Sequence, residues 1–182
     1  MAINNLLKVF IGKTTIEVIR GDITLSETCA IVNAANKDLQ PGGGVAGAIH
    51  SAAGNKLYEE CKKIGYCETG DAKLTRGYDL LAQYVIHTVG PVYSSSPDDA
   101  TALRSCYINS LLLAEKNVIS SISFPAISTG IFGYPVNEAA HVSLTAIKDY
   151  LKKDSSIELI RIVLYDYLSF EIFENIFKKV FV

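Results

Sequence analysis

Cys29-Ala30-Ile31-Val32-Asn33-Ala34-Ala35-Asn36, followed by Pro41-Gly42-Gly43-Gly44-Val45-Ala46-Gly47-Ala48-Ile49-His50, reads as strand, loop and helix. The apolar run from Cys29 to Asn33 has the length and β-branched content of a buried strand. Three consecutive glycines then clear side chains from the backbone. From Val45 to Ile64 small and apolar residues recur at helical spacing, and Gly54 divides that stretch into two helices. A buried strand that feeds a helix through a loop of unobstructed amides is the repeating unit of a sheet covered by helices.

The same alternation continues on both sides of that unit. Residues 6 to 11 and 14 to 20 read as a hairpin around Gly12-Lys13. Ala72–Thr75, Tyr84–Thr88, Ser121–Phe124 and Leu159–Tyr165 read as strands. Ser96-Pro97 opens a helix running to Lys116, with Leu103, Tyr107, Leu111 and Ala114 on one face. A second helix spans Val136 to Leu151, and a final one is expected to bury Phe170, Phe173, Phe177 and Val180. Strands alternating with helices imply an α/β fold. The sheet should be largely parallel and covered on both faces, with the hairpin at an edge and ligands beyond the carboxyl ends of the strands.

The 182 residues contain no linker and no fixed repeat, so residues 1–182 are expected to form one domain. Seventeen Lys and Arg against nineteen Asp and Glu give a formal charge of −2, which supplies no basic field for duplex nucleic acid or an anionic membrane. The uncharged run from Asn117 to Asn137 is interrupted by Gly130, Gly133, Pro125 and Pro135, which suits strand, loop and helix start rather than a membrane span. The N-terminal MAINNLLKVFIGK has no basic segment before its short apolar run and no small-residue cleavage site, and a cytoplasmic location is expected. Cys29, Cys61, Cys67 and Cys106 form no CxxC pair, and His50, His87 and His141 are dispersed. Neither a metal, a redox pair nor a cofactor is expected from those spacings.

Three glycine-bearing stretches invite a nucleotide reading. Gly12-Lys13-Thr14 lacks the earlier glycine of a P-loop and falls in a hairpin turn. Gly42, Gly44 and Gly47 match G-x-G-x-x-G formally, but the loop Ala34–Pro41 separates them from their strand and no acidic residue ends a second strand about twenty positions on. The physical content survives, because free amides at a helix start bind anions. Ser128-Thr129-Gly130-Ile131-Phe132-Gly133 is a second such loop, and the two together suit a diphosphate held without lysine. Asp22, just after a strand, suits either an exocyclic amino group such as that of adenine or the capping of a short helix. Asn33 and Asn36 suit either ribose hydroxyls or an Asx turn.

Gly21-Asp22-Ile23-Thr24, Ile31-Val32-Asn33-Ala34-Ala35-Asn36, Gly42 through His50, and Ser128 through Gly133 resemble, in order and over nearly the whole chain, the signatures of the macro domain family. His87-Thr88-Val89-Gly90-Pro91 and Phe124-Pro125-Ala126 resemble its interior strands. The resemblance implies a three-layer αβα sandwich, with a mixed, largely parallel sheet, that binds ADP-ribose. It places Asp22 on the adenine amino group, Ile23 along the base and Tyr165 stacked on it. Asn33 is included among the ligand contacts. Gly42, Gly43, Gly44, Val45 and Ala46 on one side, and Ser128, Thr129, Gly130, Ile131 and Phe132 on the other, would wrap the diphosphate. Asn36 and Phe132 would hold the distal ribose.

For catalysis the resemblance implies a water positioned by the diphosphate, with Asn36, Gly44 and Phe132 at the reacting end. It requires neither metal nor cofactor. One branch of the family carries Asp between the Val and Gly of the glycine loop, where this chain has Ala46; other hydrolytic members also read Gly-Gly-Gly-Val-Ala. His50 is available as a further catalytic group or as a packing residue. The reading implied is a hydrolase that removes mono-ADP-ribose from acidic side chains of modified proteins; separately, a monomer is expected. The alternatives are a non-catalytic ADP-ribose reader, or a hydrolase of small ADP-ribose derivatives or ADP-ribosylated nucleic acid.

Overall fold

The computed structural model describes residues 7–182. The hairpin forms as β1 (Leu7–Ile11) and β2 (Thr14–Arg20), its turn made at Gly12 with φ +57°. Leu6, the expected first residue of that hairpin, lies outside the described residues. Strands β3 (Ala30–Ala34), β4 (Ala72–Arg76), β5 (Tyr84–Thr88), β6 (Ser121–Phe124) and β7 (Leu159–Leu164) complete one seven-stranded sheet in the order β1-β2-β7-β6-β3-β5-β4. The five central strands are parallel, whereas β1 on β2 and β4 on β5 are antiparallel. The architecture is therefore mixed but largely parallel.

Two buried clusters, one on each face of the sheet, make the fold three-layered. Alternation along β3 divides them: Ile31 joins Ile49, Ala53, Leu57 and Val85 under α1 (Gly44–Ala53) and α2 (Asn55–Ile64). Val32 joins Leu103, Tyr107, Phe124, Leu144 and Phe173 under α3 (Pro97–Lys116), α4 (Val136–Tyr150) and α5 (Tyr167–Phe181). The start of α3 is closed by a capping box of Ser96 and Asp99, with Pro97 at its first position. Several boundaries differ from the sequence expectation by one residue: β3 runs one residue later, β4 extends to Arg76, α4 ends at Tyr150 and β7 stops before Tyr165. Val180, expected to be buried, is only half-buried in the last turn of α5, where the core thins. Asn117–Asn137 resolves into β6, a loop and the first residues of α4, and among the described residues no helix is long and apolar enough to cross a membrane.

Because β2, β3, β6 and β7 run the same way, their carboxyl ends open on one side of the molecule. The loops that leave those ends carry backbone groups that the ladders of the sheet do not engage.

Candidate functional site

Those loops enclose a cleft of about 740 Å³. Its two ends are set by the strand order. Residues after β2 and β7 line one end, those after β3 and β6 the other, and the span from β2 to β3 is three strand spacings, roughly 14 Å.

At the β3 end the side chain of Asn36 clamps its own loop, donating from Nδ2 to Gln40 O at 2.8 Å and accepting at Oδ1 from Gln40 N at 2.9 Å. The loop then closes on the helix so tightly that a Cβ on Gly47 would lie 2.4 Å from Gly42 O, which explains why glycine is needed there. Gly43 caps α1 without any side-chain hydrogen bond. The first amides of the helix, on Gly44, Val45 and Ala46, therefore have no intrahelical acceptor and carry the positive end of its dipole.

The facing loop turns its carbonyls into the scaffold. Ser128 O accepts from Tyr134 N at 2.9 Å, Gly130 O from Gly133 N at 2.9 Å and Phe132 O from Tyr93 N at 2.8 Å. Among the described residues the amides of Gly130, Ile131 and Phe132 find no protein acceptor, leaving them for a ligand. Ser128 itself is buried at φ +68°, and its Oγ lies 2.0 Å from where a Cβ on Gly90 would be, so any side chain on Gly90 would displace this loop. Across the cleft, Ile131 Cδ1 comes within 3.2 Å of a Cβ built on Gly43, which brings the two amide-bearing loops together.

At the β2 end side chains replace amides. Asp22 caps a single 3₁₀ turn, and its Oδ1 accepts from Thr24 N at 2.9 Å and Thr24 Oγ1 at 2.7 Å. Its second oxygen has no partner among the described residues, and the residue lines the cleft end together with Ile23 and Tyr165. Tyr165, just beyond β7, is 83% exposed, an apolar ring held open beside the cleft. Asp166 caps α5 through Ser169 N and Ser169 Oγ, and those hydrogen bonds hold its carboxyl below the ordinary range. Among the described residues no lysine or arginine lines the cleft. An anionic ligand group is therefore repelled from the Asp22–Asp166 end and received by the amides at the other.

Asp22, Ile23, Asn36, Gly42, Gly43, Gly44, Val45, Ala46, Ser128, Thr129, Gly130, Ile131, Phe132 and Tyr165 all line this cleft. Asn33 does not. Strand alternation turns its side chain to the α1/α2 layer, where it is 1% exposed and meets His87 Nδ1 at 3.1 Å. His50 likewise points into that layer, one turn further along α1 than Ala46 and outside the cleft lining, and is a packing residue with respect to the ligand. Ala46 is 5% exposed in the wall of the cleft, and the acidic lining residues, Asp22 and Asp166, are at the opposite end. Sequence reading missed Asp166, Ser169 and Gly90. The Asp-x-x-Ser pattern directly after an apolar strand was the available signal for the first two.

The family model described as "Macro domain" matches residues 32–143, more than half of the chain. The chain belongs to the macro domain family. This macro domain is 52% identical to a macro domain-containing protein of Chlorobaculum tepidum over 79% of its own length and 84% of that protein's. It is 56% identical to the ADP-ribose glycohydrolase MACROD2 of Xenopus laevis over 74% of this chain, but spans only 33% of that relative. Among solved structures, the Oceanobacillus iheyensis macrodomain with ADP matches at a TM-score of 0.93 and 39% identity, with 96% of each chain covered. The Trypanosoma brucei macrodomain in complex with ADP-ribose matches at 0.84 and 39% identity, over 88% of this chain and 68% of that one.

Proposed function

We propose that this macro domain binds ADP-ribose and removes mono-ADP-ribose from acidic side chains of modified proteins. Adenine lies against Ile23 and Tyr165 with its amino group on the free oxygen of Asp22; the diphosphate lies between the two amide loops; the distal ribose meets Asn36 and Phe132. The convergence of those loops, with Ile131 over Gly43 in a cleft without a cation, is the observation that carries this reading. The names of the Xenopus relative and of the ligand-bound neighbours agree with it.

The cleft also favours one class of linkage. A water held by the diphosphate attacks the anomeric carbon of the distal ribose, the carbon–oxygen bond to the modified side chain breaks, and its electrons leave with the carboxylate. A glutamate with an ordinary pKa near 4.3 departs as the anion, so no acid is needed to protonate it. The proton of the attacking water passes to solvent along the diphosphate oxygens. One Nδ2 hydrogen of Asn36 is spent on Gln40 and the other remains for a ribose hydroxyl. Catalysis then rests on positioning and on the amide dipoles.

Ala46, with no carboxylate beside it, favours a second reading, an ADP-ribose reader. Timed release of ADP-ribose from a protein modified at glutamate, run beside calorimetry with free ADP-ribose, separates the two. Release faster than in buffer supports the hydrolase; binding without release over hours leaves the reader; absence of binding overturns both.

A further inference from the structure

In the buried layer between α1, α2 and the sheet, outside the cleft lining, three metal-ligating side chains that are dispersed in sequence come together. His50 of α1, Cys61 of α2 and His87 of β5 are all buried, and one donor atom from each lies within 4.8 Å of the others. Cys61 Sγ is 3.7 Å from His87 Nε2. Bonds of about 2.0–2.3 Å in a trigonal arrangement require donor separations of roughly 3.5–4 Å, so Cys61 and His87 already stand at the right separation and His50 has to close by at most about 1 Å. Both ring nitrogens of His50 lack a hydrogen-bond partner although the residue is only 7% exposed. Leaving two imidazole nitrogens dry and unpaired is costly, and it is the strongest sign that the pocket is built for something else.

We propose that His50, Cys61 and His87 form a closed, three-donor site for one copper(I) ion. Charge selects the ion. The site contains one group able to become an anion, and Glu60 beside it is turned away to Arg76 N at 3.0 Å and Tyr78 Oη at 2.7 Å. A thiolate with a monovalent cation leaves this dry layer neutral, whereas zinc would leave one uncompensated positive charge and would want a fourth ligand that the cluster lacks. Binding exchanges one cation for another: the Cys61 S–H bond breaks, a sulfur–copper bond forms and the proton leaves to solvent.

The neighbours suit this exchange. Asn33 Oδ1 is buried without a partner while its Nδ2 faces His87 Nδ1 at 3.1 Å. A half-turn of that amide gives Nδ1–H an acceptor, fixes the tautomer and directs the Nε2 lone pair to the metal. Thr75 Oγ1, now 2.9 Å from Nε2, retains Val85 O as its alternative acceptor. The other titratable groups nearby are the Tyr58 ring, 6.3 Å from His50, and Cys67, whose Sγ is 4.0 Å from His87 O.

Copper(I) supplied anaerobically to the whole chain, against a chromophoric copper(I) chelator, should load one ion per chain. X-ray absorption should show one sulfur and two nitrogens. Cys61→Ser and His50→Ala should each lower the affinity at least a hundredfold, while Cys29→Ser and Cys67→Ser leave it unchanged. Affinity should rise about tenfold per pH unit between pH 6 and 8, as one thiol proton is displaced. Melting curves and ADP-ribose calorimetry check that each variant is folded; where one is not, the ligand count on the unaltered protein decides. Two or more sulfurs around the metal, full retention by folded Cys61→Ser, tighter loading of zinc than copper, or no loading at all would overturn the proposal.

Discussion

At the β3 and β6 end of the cleft the groups offered to a ligand are backbone amides, from Gly44, Val45, Ala46, Gly130, Ile131 and Phe132, whereas at the β2 and β7 end they are the side chains of Asp22, Ile23, Tyr165 and Asp166. The first end is fixed by what is missing. Gly47 and Gly90 each stand where a Cβ would strike backbone or a buried hydroxyl, and a residue added there moves the loop that carries the amides. The second end is fixed by short capping motifs that place a carboxylate and leave room around it. A backbone-built site tolerates almost no substitution, while a side-chain-built site loses contacts one at a time.

Gly43→Glu is the sharpest test of that difference. A Cβ at Gly43 meets only the exposed end of Ile131, so the melting temperature should hold. The new carboxylate next to the free amides should lower ADP-ribose affinity at least a hundredfold, about 2.7 kcal/mol. Unchanged affinity in calorimetry would mean that the diphosphate is not held there. Asp22→Ala, at the other end, should cost about 1.5–3 kcal/mol of binding through one charge-assisted hydrogen bond, and about 1 kcal/mol of stability through the lost cap. A melting shift with no change in affinity would reduce Asp22 to its cap.

Asn36→Ala should lower turnover about tenfold more than it lowers affinity, since the ribose contact matters most in the transition state. Equal losses in single-turnover rate and in binding would show that Asn36 acts only by clamping Gln40. Ala46→Asp adds a carboxylate at a wall position only 5% exposed, one turn into α1 from Gly43, and should lower affinity about fivefold, roughly 1 kcal/mol and less than Gly43→Glu. A rise in turnover would show that the new carboxylate reaches the water.

The backbone-built end was legible in the sequence because glycine is the one residue whose absence of a side chain can be read directly. Gly42 to Gly44 and Ser128 to Gly133 stand out in the sequence itself, and the sheet that presents them follows from strands alternating with helices. Asn33 was misplaced because its neighbour in motif, Asn36, lies three residues on. Within a strand only the register decides which face a side chain takes, and the strand extends to Ala34. Asp166 and Ser169 were overlooked because capping residues occur at most helix starts. What marks these two is that their helix begins where β7 ends beside the cleft. The convergence of His50, Cys61 and His87 had no local signature at all, since it depends on the packing of two helices against β5.

The absence of any lysine or arginine from the cleft wall bears on how a ligand arrives as well as how it is held. A protein of net charge −2 exerts no long-range pull on an anionic nucleotide, so encounter is set by diffusion and orientation, with association rates nearer about 10⁵–10⁶ M⁻¹s⁻¹ than the electrostatically steered limit. Contacts to amides deep in the wall are weakly screened. Raising ionic strength from 0.05 to about 0.5 M should therefore leave the affinity nearly constant, or improve it slightly by masking Asp22 and Asp166, where a lysine-built phosphate site would weaken steadily.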